Sequence, residues 1–169
     1  GRGQYVYNAD EFRYNAYFRR ATDRFAPHNL YSTLANLRKL SAAVGAEPGP
    51  MEANWKFAPD VPLEQRPEGG SITVSYPANT ITYRYNREAN TYRRFVSVEG
   101  TQRDASNGKR IAPKNVIVML MDFHPLNDGS HKNRQEAQVI GEGRAFIFTN
   151  GKRIKGTWKK TKITGPTRF

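Results

Sequence analysis

The sequence predicts an α+β chain that is mainly β: a small antiparallel β domain, built as a twisted sheet, sandwich or barrel, preceded by a helical segment. Three observations carry that expectation. From residue 71 onward, apolar and polar residues alternate with period two in short stretches broken by turn formers. Leu34, Leu37, Leu40 and Val44 recur at helical spacing just ahead of Gly45. Between these regions, residues 48–70 hold Pro48, Gly49, Pro50, Pro59, Pro62, Pro67, Gly69 and Gly70, too many breakers for a regular element. The hydrophobic share of 37% is modest, but 9 Phe, 9 Tyr and 2 Trp supply bulky core material. A chain of this length buries roughly 70% of its unfolded surface, so disulfide or metal staples are not required.

Along residues 9–20, Phe12, Ala16 and Arg19 share one helical face, a weak pattern that leaves a short helix or an irregular segment open. Residues 32–44 read as a helix, with Ser32 or Thr33 to cap its amino end and Gly45 as a left-handed stop. Its leucine face needs a partner surface, which the expectation assigns to other chains or to residues outside this sequence. Within the connector, Trp55 and Phe57 at i, i+2 predict a short extended piece whose two rings pin it to a domain.

The strands follow in order. Ile72, Val74 and Tyr76 alternate with Ser71, Thr73 and Ser75, and Pro77-Ala78-Asn79 turns the chain. Ile81, Tyr83 and Tyr85 alternate with Thr80, Thr82 and Arg84, and residues 86–90 form the next turn. Residues 92–98 make a third strand, completing an antiparallel meander. The polar stretch 100–115 leads to the apolar run 116–121, a strand covered on both faces. Residues 122–134 read as a polar loop, 135–140 as a strand, Gly141-Glu142-Gly143 as a tight turn or bulge, and 145–149 as a strand. Asn150-Gly151 is the strongest hairpin signal in the chain, with residues 154–161 returning from it.

Charge narrows the partners. The formal net charge is +12, and residues 151–169 contain seven cations (Lys152, Arg153, Lys155, Lys159, Lys160, Lys162 and Arg168) and no acid. Such a segment attracts nucleic acid, anionic headgroups or anionic wall polymers. The competing account is a solvated edge strand whose lysines discourage aggregation. Basic residues also interleave with rings in Tyr83-Arg84-Tyr85, Tyr92-Arg93-Arg94-Phe95 and Trp158-Lys159-Lys160, a pattern suited to stacking bases. Alternation, however, sends the rings to a core and the arginines to water.

Catalytic signatures are few. Cysteine is absent, which excludes disulfides, thiol catalysis and thiolate zinc sites. No Gly-x-Ser-x-Gly elbow or phosphate-binding loop occurs. Asp122, His124, Asp128, His131 and Glu136 lie close in one loop and offer nitrogen and oxygen ligands, but their spacing matches no ligand signature. The expectation is therefore no metal, no cofactor and no catalytic residue. No apolar run reaches the ~18 residues of a membrane-spanning helix. Gly1-Arg2-Gly3-Gln4 lacks the apolar stretch of a secretion signal, which leaves a cytosolic protein or a signal upstream.

A family resemblance rests on ordered motifs. Phe18-Arg19-Arg20, Arg24 and Ala26-Pro27-His28-Asn29-Leu30-Tyr31-Ser32 come first. Trp55-Lys56-Phe57, Ile81-Thr82-Tyr83-Arg84-Tyr85, Tyr92-Arg93-Arg94 and Lys114-Asn115-Val116-Ile117-Val118 follow. Gly141-Glu142-Gly143-Arg144-Ala145, Phe148-Thr149-Asn150-Gly151-Lys152, Ile154-Lys155-Gly156-Thr157-Trp158-Lys159-Lys160 and Pro166-Thr167-Arg168-Phe169 complete the set. Together they resemble the YerB-like family of bacterial envelope lipoproteins, a family of unknown function, in its carboxy-terminal part. The resemblance implies that residues 1–47 are the tail of a first α+β domain, 48–70 a connector and 71–169 an antiparallel β domain. It implies an extracytoplasmic protein held to the membrane by a lipid anchor outside this chain, and further residues before Gly1 and after Phe169. No catalytic residue is inherited.

The function expected from these readings is a non-catalytic binding module whose partner is a protein or an anionic envelope polymer. Its contacts would come from Lys152, Arg153, Lys155, Lys159, Lys160 and Lys162. Pro27, His28, Asn29, Leu30 and Tyr31 form a family motif without an assigned role. A nucleic-acid-binding β domain is the alternative, and a metal-assisted hydrolase using His124 and His131 the second. Self-association, or association with the remainder of the first domain, is also expected from the leucine face.

Overall fold

The leucine spacing delivers its helix. In the computed structural model, which describes residue 7 and residues 9–46, 56–127, 129, 134–163 and 165–169, α1 spans Leu34–Ala43. Thr33 is its cap, with the side chain accepting a hydrogen bond from Asn36 N at 3.1 Å. Gly45, at φ +72, ends it in the left-handed conformation that glycine adopts without strain. Of the leucine face, Leu40 is 3% exposed, whereas Leu34 and Leu37 are 65% and 45% exposed.

The chain divides into two units, Gly1–Asn54 and Trp55–Phe169. In the first, strands β1 (Arg19–Arg20) and β2 (Leu30–Tyr31) pair antiparallel ahead of α1. The weak helical pattern at 9–20 does not become an α-helix. The Asp10 carboxylate accepts the amides of Phe12 and Arg13 at 3.0 Å each, competing with helical bonding, and only a 3-10 turn at Asn15–Tyr17 follows.

The second unit is a two-sheet antiparallel assembly rather than a closed barrel. Strands β3 (Ser71–Ser75), β4 (Thr80–Asn86), β5 (Thr91–Val96) and β6 (Gly100–Thr101) form one sheet in that order. Strands β7 (Asn115–Met119), β10 (Gly141–Thr149) and β11 (Lys152–Lys160) form another, with β10 in the middle. Strands β8 (Phe123–Pro125) and β9 (Gln135–Ala137) make a separate hairpin. The core joins both larger sheets: Ile72, Tyr85, Tyr92 and Val116 are buried, with Val74, Tyr83, Val118 and Phe148 packed against them. Period-two alternation places these rings inward, and Tyr85 stands opposite Tyr92 with centroids 5.1 Å apart.

Several details depart from the sequence reading. Arg84 and Arg93 face outward as expected, but Arg94 shares the inner face with Tyr83, donating from Nε to its hydroxyl at 3.2 Å. The third strand stops at Val96, where Glu99 N bonds back to Val96 O. The strand expected over 135–140 covers only Gln135–Ala137, and it pairs with β8 instead of the larger sheets. Gly141-Glu142-Gly143 is the start of β10, not a turn.

The segment 56–70, within the second unit, is held to the rest of that unit by hydrogen bonds and an ion pair instead of by the Phe57 ring. Phe57 is 96% exposed, so it pins nothing, and Trp55 lies outside the described residues. Arg66 donates from Nε to Val61 O and from Nη1 to Arg87 O and Glu88 O, at 2.8 to 3.1 Å. Asp60 accepts both short bonds of the Lys114 ammonium, at 2.8 and 2.7 Å.

Candidate functional site: a basic edge strand

Strand β11 carries most of the basic segment, and both of its ends are anchored. At its start, Asn150 (φ +50) and Gly151 (φ +74) form the left-handed two-residue turn that matches strand twist. A Cβ on Gly151 would lie 2.5 Å from both Pro67 Cγ and Tyr85 Cε1, so only glycine fits. Buried Asn90 bridges this turn to the β4–β5 turn. Its Oδ1 accepts from the Tyr85 hydroxyl at 2.7 Å, and its Nδ2 donates to Asn150 Oδ1 at 2.7 Å. The Tyr92 hydroxyl accepts from Gly151 N at 2.9 Å. Burial raises the pKa of Tyr85 and Tyr92, and the Lys114 ammonium holds Asp60 below the usual carboxylate value.

At the far end, Trp158 is 2% exposed and its indole N–H donates to Leu120 O at 2.8 Å. Gly143 stands opposite Trp158, and a Cβ there would meet Trp158 Nε1 at 2.6 Å and Leu120 O at 2.7 Å. Gly143 is therefore the seat of the indole, a role that reading it as a turn residue missed.

Between the anchors, Lys152, Arg153, Ile154, Lys155, Gly156 and Thr157 are all exposed. Arg153 and Lys155 stand opposite Phe148 and Phe146, on the core-facing side of the sheet, and both remain exposed. The Arg153 guanidinium lies 6.0 Å from the Phe146 ring centroid. It also edges a cleft of about 250 Å³ walled by Ser71, Ile72, Tyr85, Tyr92 and Phe148. Lys159 is paired with Glu142 at 3.2 Å, and the Lys160 ammonium is held by Gly165 O. Lys162 is exposed, and its carbonyl accepts from Gly165 N at 3.0 Å. Among the described residues, Lys159 alone of the seven cations in 151–169 has a carboxylate partner.

The other singled-out residues go elsewhere. Asn29 is buried and ties its loop together, donating to Ala21 O at 2.9 Å and accepting from Arg20 Nη1 at 2.6 Å. Arg20 is also paired with Glu11. Leu30 and Tyr31 are β2, with the Arg19 guanidinium 5.3 Å from the Tyr31 centroid. Pro27 follows a cis peptide bond, and His28 is exposed, its backbone N–H donating to Phe25 O at 3.1 Å. The motif thus has a buried structural centre in Asn29, while the His28 ring points outward. In the loop, β8–β9 pairing brings His124 opposite Glu136, while Asp128 and His131 lie outside the described residues. Among the described residues, no three His, Asp or Glu side chains converge as a metal set. No described helix is long and apolar enough to cross a membrane.

The match that decides the family spans this edge strand. A family model described as "Protein of unknown function (DUF3048) C-terminal domain" matches residues 72–169, more than half of the chain. The chain belongs to the DUF3048 family. The crystal structure of YerB protein from Bacillus subtilis is similar in fold, with a TM-score of 0.64 at 19% identity, covering 89% of this chain and 50% of that chain. The chain thus spans about half the length of YerB and corresponds to the carboxy-terminal part of a YerB-like protein. No curated protein matches it. The DUF3048 match begins at Ile72, so it takes in both larger sheets, the Asn90 bridge and all of β11.

Proposed function

We propose that this DUF3048 domain is a non-catalytic binding module that engages an anionic partner, a protein segment or an anionic envelope polymer, along β11. One observation carries the reading: Lys152, Arg153 and Lys155 sit exposed on a firmly anchored strand with no carboxylate beside them among the described residues. Unpaired cations on a rigid support attract a polyanion without first breaking internal ion pairs. The family resemblance adds the setting, an extracytoplasmic surface with the full-length protein lipid-anchored. The rings that would stack nucleic-acid bases (Tyr83, Tyr85 and Tyr92) belong to the core, which favours a partner recognised by charge.

The test is a titration with polyglutamate, a polyphosphate-backbone wall polymer and single-stranded DNA across a salt series. Arg153→Glu with Lys155→Glu should weaken the polyanion that binds by at least about tenfold, and salt should weaken it in parallel. Preferential binding of single-stranded DNA would move the assignment to nucleic acid. Absence of binding to every polyanion at low salt would refute the reading, as would hydrolase turnover abolished by His124→Ala.

A further inference from the structure

The backbone of β11 offers more than charge. The strand lies at the edge of its sheet, in the order β11-β10-β7. Its hairpin closes on two residues, so the flanking pair Thr149–Lys152 is a hydrogen-bonded one. Even-numbered residues of β11 therefore turn their N–H and C=O groups toward β10, and odd-numbered residues turn theirs outward. Lys159 obeys this phase: its N–H and C=O both bond outward to Arg168, at 2.9 Å each, in antiparallel geometry. Past that bridge, the outward groups of Arg153, Lys155 and Thr157 have no partner among the described residues. The edge there has no proline, its register with β10 is unbroken, and it has already accepted one chain segment beside it.

We propose that β11 binds an extended acidic peptide by strand addition, antiparallel, over Arg153–Thr157. This rests on the anionic-partner reading and specifies its mode and partner. Register sets the recognition pattern. Residues opposite Arg153 and Lys155 share their face, so they are acidic; the residue opposite Ile154, itself 52% exposed, is apolar. The partner thus reads acid–apolar–acid. Main-chain bonds supply affinity, and the alternate side chains supply selectivity.

The probe is a peptide of about seven residues alternating Glu and Val, long enough to span the open edge. Two N-methylated versions carry the same charge. Methyl groups on the glutamate amides block the N–H groups that face β11, whereas methyl groups on the valine amides face away. Binding measured with the full-length protein should fall at least about tenfold for the first and less than about threefold for the second, since the first loses two or more hydrogen bonds. Lys155→Pro, which removes one outward N–H on an edge where proline is tolerated, should weaken the unmodified peptide more than Lys155→Ala does. Equal effects of the two methylation patterns, with binding retained, overturn strand addition and leave the anionic-partner reading standing. Failure of the peptide to bind while the wall polymer or DNA binds also overturns strand addition, including where the protein's own chain fills the edge. Failure of every anionic probe overturns both.

Discussion

Gly143→Ala is a sharp test of how β11 is held, because the added atom meets two specific obstacles. The new Cβ would lie 2.6 Å from Trp158 Nε1, 3.1 Å from Trp158 Cε2 and 2.7 Å from Leu120 O. Gly143 is not among the positive-φ residues, so the damage is steric and not conformational. Two of these neighbours are the donor and acceptor of one part-buried hydrogen bond, and the third belongs to an indole that is 2% exposed. Overpacking costs about 1–3 kcal/mol and an orphaned buried polar group about 1–3 more, against about 0.4–1 regained from a stiffer unfolded chain. The expected net loss is about 1–5 kcal/mol, a fall of roughly 0.5–2.5 M in the urea midpoint for a domain of this size. Amide circular dichroism across a urea series reads it. Trp158→Phe removes the obstructing nitrogen but leaves Leu120 O 2.7 Å from the new Cβ, so in that background Gly143→Ala should still destabilise, by about 1–2 kcal/mol less than in the wild type. A wild-type-background loss under about 1 kcal/mol, or equal losses in both backgrounds, refutes the assignment of Gly143 as the indole's seat.

Further consequences follow from the anchors and the cap. Asn90→Ala breaks bonds to Tyr85 and Asn150 and places alanine at φ +50, so it should cost about 2–4 kcal/mol by urea denaturation, with Asn90→Gly milder by about 1. Tyr85 and Tyr92 have pKa values raised by burial, so the folded state holds their protons longer than the unfolded chain. Their contribution is complete below the unfolded value of about 10 and is lost as pH rises through the folded values, giving a falling stability of up to about 1.4 kcal/mol per pH unit per tyrosine. Denaturation midpoints between pH 9 and 12 check this, and a flat profile contradicts it. Thr33→Ala should destabilise the amino end of α1 by about 1 kcal/mol, seen as faster amide exchange at Asn36.

Much of the fold was legible because strands and helix announce themselves by spacing. Leu34 to Val44 gave the helix, Ile72 to Val96 the meander, and Asn150-Gly151 the hairpin, each through local chemistry that tertiary contacts reinforce. What escaped was set by distant partners. Gly141 and Gly143 carry turn signals, yet Gly143 is a strand glycine because an indole fifteen residues later needs its space. Arg94 looks like an outward cation, but its phase along β5 and the Tyr83 hydroxyl bring it inside. The basic composition of β11 was visible at once. Its lysines also fitted a solvated edge strand, which is where it lies; the rest of its sheet was not legible, since strand order comes from the pairing of β7 with β10 across a long loop. Asn90, central to the anchoring, gave only a turn signal.

The unpaired edge can be measured amide by amide. Hydrogen exchange along β11 should alternate, with Ile154, Gly156 and Trp158 slow because they bond to β10, and Arg153, Lys155 and Thr157 fast because they face solvent. Uniform protection from residue 153 to 158 would mean that both sides of the strand are bonded, and the proposed docking edge would not exist.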